Sequence, residues 1–151
     1  MSQALYPIDP DWLLTRGVIA RRVLAFIVDC LLIGVAGWAG AVGIAVFGVL
    51  TLGLGWMAFH ILPWLPLVYF TLFVGYTGAT PGQRLFGLIV RQDSGLERPN
   101  IPQALVWTLL LWVSFGLACV PFLLALLTPR HRAAHDLLTG LVIIRSPHNA
   151  Y

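Results

Sequence analysis

Apolar residues fill this chain in three long runs, and polar residues mark the breaks between them. From Cys30 to Gln83 there are 54 residues without a formal charge. Two helices of roughly 20–25 residues each would cross a bilayer and use that length. Between them, Leu50–Trp56 is rich in glycine and ends on an indole suited to a membrane interface. The pattern predicts a first span near Val23–Val49 and a second near Met57–Thr77. Backbone groups in hydrocarbon must satisfy one another, so runs this long read as helices. A third apolar stretch runs from about Ile101 to Thr128, with no charge between Arg98 and Arg130.

The polar breaks carry their own signals. In the loop motif Gly78, Thr80, Pro81 and Gly82, Thr80 can cap a helix, Pro81 suits its first position, and Gln83 completes a capping box. A phosphate-cradling loop is the competing reading, but the Gly-Lys-Ser/Thr it needs is missing. Asn100 with Gln103 repeats the cap. Thr128 and Pro129 start another short helix, which Gly140 ends. Leu88–Arg91 and Leu141–Arg145 each follow a glycine and are rich in branched residues, so they read as short strands. Their pairing would put the middle loop and the C-terminal segment at one membrane face.

Composition agrees with this layout. The 151 residues are one domain's worth. Charged residues make up 10% and apolar residues 59%, against about 25% and 45–50% in soluble domains, and mean hydropathy is +0.87. The expected class is an all-α membrane protein. It would be a small bundle of two clear transmembrane helices plus the third stretch, with a short strand pair and the lipid bilayer as its first partner. Net charge is +3 and all nine cations are arginines. A pI near 9.3 reflects few charges rather than a basic face, so no nucleic acid is expected. Cys30 and Cys119 are too few for a disulfide framework and read as small buried apolar side chains. Met1–Arg22 contains Asp9, Asp11 and three arginines, unlike a cleavable signal peptide, so the first span is expected to stay as an anchor.

Arg16, Arg21 and Arg22 precede the first span, and Arg84, Arg91 and Arg98 follow the second. Two crossings put both groups on one side, which the positive-inside rule makes cytoplasmic, with the N-terminus there. If the third stretch crosses once, Arg130, Arg132 and Arg145 lie outside; if it folds back as a re-entrant hairpin, all nine arginines lie inside. Ser114, Phe115, Gly116 and Pro121 offer places to break it. Its length suits one crossing and is short for two. With slightly more weight on length, one crossing is expected.

Asp29 is the most informative polar residue. A carboxylate at a span's centre costs on the order of 2.5–3.5 kcal/mol on insertion scales, and less nearer the end, where Asp29 stands. Arg22, Ala25 or Phe26, and Asp29 share one helix face, with a rise of roughly 10 Å from Arg22 to Asp29. Arg22 leans toward the interface, so a direct Arg22–Asp29 pair is strained. Arg84, Arg130 and Arg132 are the candidate ion-pair partners. Asp29 either locks helix packing or serves the passage of an ion or substrate. Ala36 and Gly40, Gly37 and Ala41, and Ala39 and Gly43 form a small-residue stripe that lets helices approach closely.

His131 and His135 at i, i+4 with Asp136 invite a metal reading. Arg130 and Arg132 flank them and oppose a cation, so neither metal nor cofactor is expected, and the segment reads as an interfacial helix meeting anionic headgroups. No nucleophile–His–acid set and no paired carboxylates are present, so no catalytic residue is assigned and no enzyme is expected.

Arg22 through Asp29, then Gly78 through Val90, then His135 through Gly140 resemble the RDD family of bacterial membrane proteins. The family is named for an arginine and two aspartates, which fall here on Arg22, Asp29 and Asp136. The resemblance covers about residues 16–146, leaving 1–15 as a cytoplasmic N-terminal segment and 147–151 as a tail. Two positions depart: Trp107 stands where many relatives carry arginine, and Leu141 where threonine is common. The resemblance implies a multi-pass protein of the bacterial cytoplasmic membrane, and associates the family with transport of cations, protons or small ligands and with accessory roles. Two functions are therefore expected in competition. One is transport using Asp29, which in so short a chain requires a homo-oligomer or a partner membrane protein. The other is a non-transporting accessory or assembly subunit in which Arg22, Asp29 and Asp136 form a structural polar clamp.

Overall fold

The first apolar run forms one unbroken helix, α1, from Val18 to Leu50; the computed structural model describes residues 17–116 and 133–146. No residue of its most apolar stretch is buried within the chain. The core helix of a soluble protein would hide one face, whereas α1 exposes Val23, Leu31, Leu32 and Phe47, which point to different sides of the helix. Cys30 is exposed as well, a correction to its expected burial; Cys119 lies outside the described residues. At about 50 Å, α1 exceeds a hydrocarbon core of about 30 Å. Residues 30–50 alone, about 31 Å, are long enough to cross it. The turns carrying Arg21, Arg22 and Asp29 are surplus to that length.

Gly53, at φ 100°, reverses the chain, and its N–H donates to the Gly48 carbonyl at 2.7 Å. Leu54–Trp64 follows in tight 3₁₀ turns and continues as α2, Leu65–Thr77. Pro63 and Pro66 lack N–H donors, which suits the change of helix type between the two segments. The two segments form the second membrane-length helix, 24 residues long. The small-residue stripe is partly used here: a Cβ on Gly40 would stand 3.3 Å from Leu62, and one on Gly37 3.8 Å from Leu65.

Beyond Gly78 come α3 (Pro81–Leu85), β1 (Leu88–Gln92), α4 (Ile101–Gly116), α5 (Ala134–Thr139) and β2 (Leu141–Arg145). The expected capping box is present: Thr80 Oγ1 accepts from the Gln83 N–H at 3.1 Å, and Gln83 Oε1 accepts from the Thr80 N–H at 2.9 Å. Asn100 Oδ1 caps α4 through the Gln103 N–H at 2.8 Å. Gly140, at φ 65°, closes α5. The two strands pair antiparallel with Val90 opposite Ile143. Leu88, Val90, Leu141 and Ile143 then bury one face of the ribbon against Val18 and the start of the bundle.

The expectation of a single crossing by the third stretch is overturned. α4 leaves the strand-bearing end of the bundle, yet α5 and β2 lie at that same end. Gln103 Nε2 donates to the Thr139 carbonyl at 2.9 Å, and β2 pairs β1. A chain that leaves and returns to one end has not crossed once. Apolar length alone did not show this: α4 accounts for 16 residues of the stretch, and positions 117–128 lie outside the described residues.

Candidate functional site

Every polar residue singled out on α1 lies where the surplus turns of that helix meet the end-piece built from α3, the ribbon and α5. Asp29 is 1% exposed, and both its oxygens are occupied. Oδ1 accepts from the Tyr69 hydroxyl at 2.7 Å and the Gly82 N–H at 2.8 Å, and Oδ2 accepts from the Thr80 hydroxyl at 2.5 Å. The capping box turns the first residues of α3 toward α1, and Gly82 lets the two backbones close together. A Cβ at Gly82 would collide with the Ala25 carbonyl oxygen and stand 2.8 Å from the Asp29 carboxyl.

Two turns earlier, Arg22 donates to Asp136 in an ion pair that crosses 114 residues of sequence. Asp136 is fully buried. Its carboxylate also accepts from Trp107 Nε1 at 2.8 Å and from the Ala133 N–H at 3.1 Å, which caps α5. Burial would raise the Asp136 carboxyl, but the Arg22 charge leads the effects that bring it below its usual range. His135 packs edge-on to Trp107, with ring centroids 5.2 Å apart. Burial pushes its pKa down to about 4, with Asp136 opposing and Arg22 reinforcing the shift.

These shifts fix the sign of a pH response. His135 is neutral when folded and titrates near 6.5 when unfolded, so the unfolded chain binds more protons below that pH. Stability is expected to fall between about pH 6.5 and 4, by on the order of 2–3 kcal/mol. Asp136 adds a further loss below 3.8, its unfolded value. Thermal melting in detergent across this range should show the decline, and His135→Gln should flatten its upper part; an equal decline in that variant would refute the assignment.

The predicted site residues thus divide into two clamps. Asp29 holds the loop motif, and Arg22 with Asp136 holds the C-terminal segment. Arg84 is not a partner of Asp29: it is exposed on α3, and Asp29 takes neutral donors instead. Two residues past Gly82, it points about 200° around the helix, away from α1. Arg130, Arg132 and His131 lie outside the described residues. Among the described residues no three His, Cys, Asp or Glu side chains gather to hold a metal ion.

Two participants escaped the sequence reading. Tyr69 left only a weak trace, a hydroxyl in an apolar run that must find a partner when buried. Trp107, noted as a departure, supplies through its indole N–H a donor to Asp136. Between the clamps lies a cavity of about 260 Å³ touched by Arg22, Asp29, Gln83 and His135.

A family model described as RDD family matches residues 16–140. Neither the curated proteins nor the solved structures contain a match to this chain.

Proposed function

We propose, from the premise that this chain belongs to the RDD family, that it is a non-transporting accessory or assembly subunit of the membrane. One observation carries this reading: Asp29 and Asp136 have both oxygens of each carboxylate engaged by donors of the same chain. A carboxylate that carries protons or cations must release its partners and meet water at each cycle. Asp29 is held by three short hydrogen bonds from two separate places on the chain, Tyr69 of α2 and the Thr80–Gly82 turn, an arrangement suited to a fixed joint. The exposed apolar surface of α1 then serves lipid, a partner membrane protein or a second copy. Arg21, Arg22, Arg84, Arg91, Arg98 and Arg145 lie toward one end of the bundle, which supports a multi-pass arrangement with that end and the N-terminus in the cytoplasm of a bacterial cell.

Transport has one observation in its favour, the contact of Asp29 with the cavity. The comparison of wild type with Asp29→Asn separates the readings. Under the joint, Asp29→Asn destabilises the fold by on the order of 1–3 kcal/mol, the scale of a hydrogen bond to a charged group, and melting occurs at a lower temperature. Liposomes holding folded wild type then show no proton flux on addition of Na⁺, K⁺ or Li⁺. Cation-dependent flux in wild type that vanishes in a folded Asp29→Asn variant would replace this proposal with transport.

A further inference from the structure

The cavity between the clamps has walls that, Trp107 apart, neither clamp uses. On one side Phe26 projects from α1; on the other, Trp107, Leu111 and Phe115 project from α4, and Phe70 of α2 backs the space. Phe26 stacks on Phe115 at 5.1 Å and faces Phe70 at 6.4 Å between centroids. The lining runs from Arg22 to Asp29 along α1 and from Trp107 to Phe115 along α4, about 10–12 Å on each helix. Spread over that length, 260 Å³ makes a slot of roughly 20–25 Å² in section. Its rim includes Val23 and Phe115, which are 55% and 40% exposed. The slot therefore has one edge on the apolar outer surface of the bundle.

Water is a poor occupant, because a buried water needs two to four polar partners and these walls are chiefly apolar. A cation is opposed by Arg22 and finds both oxygens of Asp29 already engaged. Hydrocarbon fits: burial of each methylene is worth about 0.8 kcal/mol, and a laterally open slot admits a chain from the bilayer without displacing a helix. We propose that the slot is a binding site for a single acyl chain of an amphiphile, lying along Phe26, Leu111 and Phe115 with its head at the Arg22 end. A phospholipid and a free fatty acid share that chemistry.

The test uses full-length protein in nanodiscs and two photoactivatable probes. One is palmitate carrying a diazirine on its chain; the other is phosphatidylglycerol carrying the same group on one acyl chain. After irradiation, adducts are expected on the lining residues Phe26, Trp107, Leu111 and Phe115, and excess unlabelled lipid of the same kind should suppress them. Leu111→Trp fills the slot and should reduce these adducts several-fold. Leu109→Trp, on an exposed face of the same helix, should not. The probe that labels saturably identifies the source of the chain. If Leu111→Trp fails to fold, competition on wild type decides alone. Labelling that no competitor suppresses, that falls mainly on outward residues such as Leu31 and Val35, or that is unchanged in a folded Leu111→Trp variant overturns the proposal.

Discussion

Replacing Asp136 with alanine is expected to destabilise the protein by about 3–5 kcal/mol, the range for removing one partner of a buried ion pair. The carboxylate is fully buried and accepts from Arg22, Trp107 and Ala133. Its removal takes the acceptor from two charged or indole donors and from the N-terminus of α5 at once. That cost far exceeds the net worth of the pair, because the Arg22 charge is left in a largely enclosed position. The damage should be local first. α5 and β2 carry few contacts of their own with α1 besides this pair, so hydrogen exchange across residues 134–145 should rise before the two long helices respond. Replacing Arg22 and Asp136 together with apolar residues of similar size should recover much of the loss. A single Asp136→Ala variant losing less than about 1 kcal/mol, the scale of an exposed pair, would show that the ion pair does not hold this segment.

The second large effect belongs to Gly82→Ala. The added carbon would meet the Ala25 carbonyl oxygen and the Asp29 carboxyl, one of them backbone and therefore unable to rotate aside. α3 would have to retreat from α1, lengthening the 2.8 Å bond from the Gly82 N–H to Asp29 and straining the Thr80 contact beside it. Overpacking of 1–3 kcal/mol, together with a weakened bond to a charged acceptor, gives an expected loss of about 3 kcal/mol or more. Because both changes act through the same contact, Gly82→Ala and Asp29→Asn should combine to much less than the total of their separate effects. Additive losses in melting experiments on the double variant would mean that Gly82 and Asp29 do not act through one joint.

Both residues are recognisable in the sequence, yet the sequence does not say what they touch. Thr80, Pro81 and Gln83 are legible because capping is a transaction among neighbours three residues apart, and the structure shows both of its hydrogen bonds. The strands Leu88–Gln92 and Leu141–Arg145 are legible from their branched residues and flanking glycines, and they pair. Asp29 stands out because a carboxylate beside a long apolar run has few tolerable environments. Its partners do not stand out: Tyr69 is 40 residues away, Thr80 51 and Gly82 53. The expectation of an arginine partner followed charge complementarity alone, but three well-placed neutral donors satisfy a buried carboxylate equally well. The course of the third stretch was misread for a related reason. Apolar length measures how far a helix could reach, and only contacts such as Gln103 with Thr139 tell where the chain returns.

The sequence by itself determined the properties that depend on near neighbours and on solvent. These are the membrane class, the two long helices, the caps, the two strands and the prominence of Asp29. Each follows from periodicity, local hydrogen bonding or the cost of placing charge in hydrocarbon, which act within a few residues. Only the tertiary structure decided that Arg22 belongs to Asp136, that Asp29 belongs to the loop motif, that Trp107 donates to the buried carboxylate, and that α4 and β2 share one end. Those pairings join residues 29 to 114 positions apart. They are selected by which packed arrangement satisfies every buried donor and acceptor together, a condition of the whole fold that no local pattern encodes.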